Sequence, residues 1–244
     1  IRSLVDAGLI EVTEENVYRK PVLKSDLSGK DGTAKQLSAE QQAVVDAISQ
    51  DYSLGISQTY LLRGITGSGK TEVYMALIER MIAGGKQAIV LIPEIALTYQ
   101  TLLRFYLRFG DRVSVMNSRL SPGERSDQYE RAAKGEIDIM IGPRSALFTP
   151  FERLGLVIID EEHESSYKSE TMPKFHAREV AQELCRMKHA SLLLGSATPS
   201  LESYYRARQG EIPLFTLNSR LTGGELPKVY VCLLYTSPSP RDYA

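Results

Sequence analysis

The sequence predicts an α/β fold, a mostly parallel β-sheet covered by helices. Three observations predict it. Wholly apolar runs such as Ala88-Ile89-Val90-Leu91-Ile92 and Leu156-Val157-Ile158-Ile159 suit strands buried on both faces. Those runs alternate with segments of helical periodicity, the order that yields parallel sheets. Turns bearing glycine, hydroxyl or carboxylate groups follow several of the runs, where open α/β sheets bind ligands.

Taken in order, residues 1–24 carry a helical stripe of Ile1, Leu4, Val5 and Leu9, a stop at Gly8, and an extended Ile10-Glu11-Val12. A helix followed by a short hairpin has the shape of the end of a winged-helix module. Residues 25–36 are small, polar and glycine-bearing, as a linker is. The main domain opens at Leu37, with Ser38 as N-cap of a helix carrying Val44, Val45 and Ile48. Thr59-Tyr60-Leu61-Leu62 reads as a strand. Val73, Leu77 and Met81, with Tyr74, Ile78 and Ile82 alongside, then mark a helix that Gly84-Gly85 ends. Beyond the strand at 88–92, helices are expected over 101–109, 123–134 and 177–188, and strands over 113–116, 137–141, 156–159 and 191–194. The domain extends to about residue 220.

Composition bounds the function. The 244 residues carry a formal net charge of −1, so contact with nucleic acid has to be local rather than a global field. Cys185 and Cys232 fit no metal or disulfide spacing and point to a reducing compartment. No apolar run approaches a membrane span and no signal-peptide pattern opens the chain, so a soluble cytoplasmic protein without a membrane partner is expected. The first residue is Ile1, as in a piece of something longer.

Gly64-Ile65-Thr66-Gly67-Ser68-Gly69-Lys70-Thr71 fits the phosphate-loop pattern G-x-x-x-x-G-K-[ST] at every fixed position. Glycines let successive backbone N–H groups converge on phosphate oxygens, and the following helix adds its uncapped N-terminal donors. Lys70 reaches the β- and γ-phosphates, and the Thr71 hydroxyl holds Mg²⁺. Strand, glycine loop and helix in this order mark a nucleoside-triphosphate site rather than a glycine-rich turn.

Asp160-Glu161-Glu162-His163 follows the apolar run at 156–159. Asp160 at the end of a buried strand would hold Mg²⁺ with Thr71, and Glu161 would orient or polarise an attacking water. Read alone, the segment is a solvated acidic turn; the phosphate loop upstream decides for chemistry. Gly195-Ser196-Ala197-Thr198-Pro199 follows the last strand, where its hydroxyls can bond Glu161 or His163. Its bland reading is a β–α turn whose N-cap is Ser200 or Thr198. Arg144 and Ser145 in Gly142-Pro143-Arg144-Ser145 suit phosphate contact along a strand of nucleic acid. Thr98, closing Pro93-Glu94-Ile95-Ala96-Leu97-Thr98, suits the same task. Each is a capped loop when taken singly. Gln41, at the entrance of the domain, carries an amide able to read an adenine edge, against the plainer reading of a solvated helix residue.

These motifs, in this order, resemble a superfamily 2 helicase, and in wording the family of the bacterial primosomal protein N′, PriA. The resemblance runs from about Leu37 to Arg220. It implies a RecA-like P-loop NTPase domain 1 over 37–220, preceded at 1–24 by the end of a winged-helix DNA-binding domain. It implies an ATP-dependent 3′→5′ DNA helicase that reopens stalled replication forks, using ATP and Mg²⁺. Gln41 would face adenine, and Thr66, Gly67, Ser68, Gly69, Lys70 and Thr71 would bind the phosphates. Asp160 and Glu161 would manage metal and water, while His163, Ser196 and Thr198 would couple hydrolysis to movement. Thr98, Arg144 and Ser145 would lie along the DNA. Implied partners are forked or single-stranded DNA, primosome proteins and single-strand-binding protein, with a nucleoid-associated location.

Asn117-Ser118 stands where that family often has His-Ser, and Tyr99 where proline is common. Residues 221–244 do not resemble the family and read as a truncated or foreign tail. The family's Zn²⁺-binding cysteines and second RecA-like domain, with its arginine finger, would follow residue 230. A chain lacking them is expected to bind ATP with weak or absent turnover. Two other readings compete: a P-loop ATPase or small-molecule kinase acting without nucleic acid, and a winged-helix DNA-binding module beside an inert ATPase remnant. The Asp-Glu-Glu-His and Ser-Ala-Thr segments weigh against the first, and the shortness of 1–24 against the second.

Overall fold

The computed structural model describes residues 36–220. The segments read as a winged-helix end and as a tail lie outside the described residues, as does the linker up to residue 35.

Helix α1 (Ala39–Ser53) leads into β1 (Thr59–Gly64), α2 (Lys70–Ala83) and β2 (Gln87–Leu91). There follow α3 (Tyr99–Phe109), β3 (Val113–Val115), α4 (Pro122–Ala133), β4 (Ile139–Gly142) and β5 (Leu154–Asp160). The domain closes with α5 (Ala177–Lys188), β6 (Ser191–Ser196), α6 (Leu201–Arg208) and β7 (Leu214–Leu217). All seven strands join one sheet in the order β3-β4-β2-β5-β6-β1-β7, and every pairing is parallel.

Strand alternation divides the core into two layers. Tyr60, Leu62, Ala88, Val90, Ile139, Ile141 and Ile158 face one way, against Val44, Val45 and Ile48 of α1, the apolar stripe of α2, and Phe105 of α3. Leu61, Ile89, Leu91, Met140, Val157, Ile159 and Leu192 face the other way, against Ala132 of α4 and Ala177, Ala181 and Cys185 of α5. Every residue of β2 and β4 is buried, because helices cover both faces of the sheet centre. Each large aliphatic side chain sealed there contributes about 1.5–3 kcal/mol. Burial also pushes the Cys185 thiol up to about 12, so it is a packing residue rather than a nucleophile.

The helix ends follow local chemistry. Ser38 accepts from the Gln41 amide while Gln41 Oε1 accepts from the Ser38 N–H, a closed capping box. Ser121 and Glu124 form a second one, with Pro122 inside the first turn, so α4 starts one residue before the expected 123. Helix α3 starts at Tyr99 rather than 101 because Thr98 caps it. At the other end of the domain Ser200, not Thr198, caps α6. Residues 144–148, read as a loop, form a 3₁₀ helix (Arg144–Phe148). The edge strand β7 has no counterpart among the expected elements; four residues with one fully buried position carry too weak a pattern.

Candidate active site

Strand order brings three motifs together. β5, β6 and β1 are neighbours, with Asp160 level with Gly195 and Ser196 level with Arg63. The loops that leave their carboxyl ends therefore open onto one place, the crevice that such sheets use for ligands.

From β1 the chain curls into α2 through Gly67 and Gly69, whose φ values of +83° and +79° suit glycine. No side chain caps α2 at Gly69, which leaves the positive end of the helix turned toward the pocket. Lys70 Nζ donates to Gly64 O at 3.0 Å and lies 3.4 Å from Glu161 Oε1. Residues 65–71 with Arg104, Asp160 and Glu161 enclose about 430 Å³. Thr66, Gly67, Ser68, Gly69 and Thr71, all expected to touch phosphate, line this space.

Asp160 lies deep in the pocket wall, where burial pushes its carboxyl up and a hydrogen bond from Tyr74 opposes that shift. The Tyr74 hydroxyl donates to Asp160 Oδ1 at 2.9 Å, an approach that requires Gly195, since a Cβ there would meet the phenol oxygen. Glu161 adopts φ +46°, left-handed backbone that is uncommon for a residue with a side chain and typical of functional turns. A triphosphate with Mg²⁺ fits these groups: a cation, an uncapped helix start and two carboxylates. The buried Ser68 hydroxyl, which has no hydrogen-bond partner among the described residues, fits as well.

His163 Nδ1 is 2.8 Å from Ser196 Oγ and 3.7 Å from Glu161 Oε2. Ser196 Oγ in turn accepts the Thr198 N–H at 3.0 Å, so Thr198 joins through its backbone while its side chain is exposed. Gln41 is placed differently from the expectation. Its side chain is buried, its Nε2 donates to Ser68 O at 2.9 Å and Gly69 O at 3.3 Å, and its oxygen closes the α1 cap. The amide braces the phosphate loop and is not turned outward toward a base.

The loops after β2, β3 and β4 lie side by side on the other half of the same edge. Pro93, Asn117, Arg125, Arg144 and Ser145 help line a pocket of about 280 Å³ between them. The Arg144 guanidinium is used internally, donating to Ser166 O at 2.8 Å and Lys168 O at 2.9 Å. Thr98 Oγ1 accepts the Thr101 N–H, and Ser145 O accepts from Tyr129 at 3.4 Å. Ser118 donates to Glu94 across the pocket.

Residues 38–207 match the DEAD/DEAH box helicase family. The chain belongs to that family. Likeness to solved structures bears out the expected α/β fold with a mostly parallel sheet. The structure of RecG bound to a three-way DNA junction superposes at a TM-score of 0.59 and 24% identity, over 80% of this chain and 25% of that one. The Hef helicase domain of Pyrococcus furiosus does so at 0.50 and 18%, over 81% of this chain and 40% of that one. Among curated proteins, the replication restart protein PriA of Bacillus subtilis is 45% identical over 229 residues, 94% of this chain and 28% of that protein. PriA of Chlamydia pneumoniae is 42% identical over 230 residues, 94% of this chain and 29% of that protein. The chain thus spans less than a third of the length of these relatives. Among its described residues no helix is long and apolar enough to cross a membrane.

Sequence reasoning missed the residue that fastens the helicase motifs together. Glu162 is fully buried in its side chain and accepts from Ser200 N at 2.6 Å, from Ser200 and Ser203 Oγ at 3.1 Å each, and from Arg178 at 3.1 Å. Its own N–H donates to Gly195 O at 3.0 Å. One residue therefore joins the ends of β5 and β6 through its backbone, and the start of α6 and α5 through its carboxylate. An acidic pair after a strand does not reveal which member turns inward. Tyr167 was missed as well: its hydroxyl donates to Asp160 O at 2.6 Å and Leu91 O at 3.1 Å, pinning the backbone of Asp160.

Proposed function

We propose that this chain is the ATP-binding motor domain of an ATP-dependent DNA helicase of replication restart, moving 3′→5′ on single-stranded or forked DNA. The observation that carries the reading is the meeting of Lys70, Asp160 and Glu161 in one pocket, joined through Glu161 and His163 to Ser196. Bound ATP and Mg²⁺ supply the phosphoanhydride bond and the metal's charge. Lys70 holds the terminal phosphates with the amides of 66–71, and Thr71 and Asp160 hold the metal. Glu161, beside Lys70, orients a water and takes up its proton.

His163, Ser196 and Thr198 form the route by which a change at Glu161 reaches the loop after β6. Thr98, Arg144 and Ser145 belong to the DNA side, where hydroxyls and backbone amides suit phosphate contact without reading sequence. Primosome proteins and single-strand-binding protein are the proposed partners, in the cytoplasm at the nucleoid. Zn²⁺ belongs to a cysteine cluster of a longer protein, and the arginine that completes hydrolysis to its second motor domain. Such an arginine accounts for roughly 10³–10⁵-fold in rate.

The test is ATP hydrolysis and strand separation by the longer natural protein, with and without single-stranded DNA, on substrates with 3′ or 5′ tails. DNA-stimulated hydrolysis, unwinding from one tail polarity, and loss of both in Glu161→Gln are expected. Hydrolysis indifferent to DNA would sink the helicase reading and leave a P-loop enzyme of another kind.

A further inference from the structure

We propose that Arg104 is a phosphate-binding residue that leaves Glu72 to engage the terminal phosphate of the nucleotide, and so ties α3 to the nucleotide's state. The inference rests on the nucleotide-site reading above. Arg104 projects from α3 into the same pocket as residues 65–71, Asp160 and Glu161. Its guanidinium donates to Glu72 Oε1 at 2.6 Å, with 45% of its side chain exposed. Glu72 directly follows Thr71 and is only 6% exposed, so a cation must accompany it at all times.

Arg108 meets that need by itself. It is 7% exposed, donates to Glu72 Oε2 at 3.3 Å, and is clamped to Glu79 by bonds of 2.6 and 2.8 Å. One buried carboxylate thus has two guanidinium partners, one fixed and one half in solvent. The half-exposed one can depart without stranding a buried charge. A triphosphate, with more charge than a carboxylate and pairs of oxygens that the planar guanidinium fork can meet with two hydrogen bonds, is the ligand it would depart to. The consequence reaches beyond the pocket. Arg104 lies on the helix that Thr98 caps, and Thr98 ends the loop after β2 on the proposed DNA side. An Arg104 that follows the terminal phosphate pulls on the helix carrying that loop.

Fluorescent ATP and ADP analogues with Mg²⁺, titrated into the 244-residue chain, test this. Arg104→Gln is expected to weaken the ATP analogue roughly tenfold, the size of one charged hydrogen bond, and the ADP analogue much less. Arg104→Lys recovers part of the loss. Glu72→Gln, which loosens the competing carboxylate, tightens the ATP analogue. Equal losses for both analogues, or a lowered thermal midpoint with unchanged affinities, reduce Arg104 to a strut between α3 and α2 and overturn the proposal. Lys70→Ala separates the two readings. If it abolishes binding while Arg104→Gln and Glu72→Gln leave affinity untouched, Arg104 alone is excluded. If the unsubstituted chain binds neither analogue, the nucleotide-site reading falls and this inference with it.

Discussion

Along the carboxyl edge of the sheet, the segments after β1 and β5 turn charged groups toward a pocket, whereas Arg144 after β4 and Thr98 after β2 are bonded to other parts of the chain. On the first half, Lys70 stands 3.4 Å from Glu161, and Tyr74 holds Asp160. On the second half, Arg144 is tied to two carbonyls and Thr98 caps a helix. The difference teaches which task needs finished geometry. Phosphate chemistry depends on donors and carboxylates held in place before the ligand arrives. A track for a polymer backbone needs a shaped ledge of amides and hydroxyls, and a charged side chain can serve there as scaffolding.

The comparison breaks most readily at Glu162. Glu162→Ala removes the buried carboxylate that joins the end of β5 to α5 and α6, and leaves Arg178 without its carboxylate partner. A loss of about 3–5 kcal/mol is expected in denaturant unfolding, as for a broken buried ion pair. A loss below about 1 kcal/mol, the range of exposed ion pairs, would mean that this half of the edge is not held by this carboxylate.

Next in size is Lys70→Ala. Two charge-assisted contacts disappear with it, so nucleotide affinity is expected to fall roughly a hundredfold in fluorescence titration. The thermal midpoint should hardly move, because the lysine serves the ligand more than the fold. Retained affinity would place the phosphate elsewhere.

Arg144→Ala sharpens the second half of the comparison. If the guanidinium is scaffolding, stability drops by about 1–2 kcal/mol from two lost hydrogen bonds to carbonyls, before any DNA is added. Unchanged stability with weakened DNA binding would instead make it a contact residue of the kind expected from the sequence. Thr98→Ala carries the smallest effect. Loss of the α3 cap costs about 1 kcal/mol, and Thr98→Ser, which keeps the hydroxyl, should restore it. Equal midpoints for all three proteins would show that the hydroxyl does not cap the helix in solution.

Much of the chemistry was legible without coordinates because it depends on short spacing. The glycines, lysine and threonine of 64–71 lie within one loop and the first turn of one helix, and Asp160 and Glu161 at the end of one strand. The hydroxyl loop at 195–198 does reach His163, as its residue types allowed, and Ser38 does cap its helix. Gln41 shows where such reasoning stops. Its amide suggested an adenine contact or a solvated position, but the atoms it meets, the carbonyls of Ser68 and Gly69, lie 27 and 28 residues away.

By itself, then, the sequence determined the α/β alternation, the phosphate loop, the carboxylates, and most helix ends, since all of these follow from neighbours within a turn or a strand. The tertiary structure alone decided that β6 separates β5 from β1, that β7 closes the edge, and that Glu162 rather than Glu161 turns inward. It alone set Arg104 in one pocket with Thr71 and tied Arg144 to the carbonyls of Ser166 and Lys168. The physical reason is that such partnerships span tens of residues along the chain. They are chosen by strand order and by the need to pair each buried charge, and local spacing records neither.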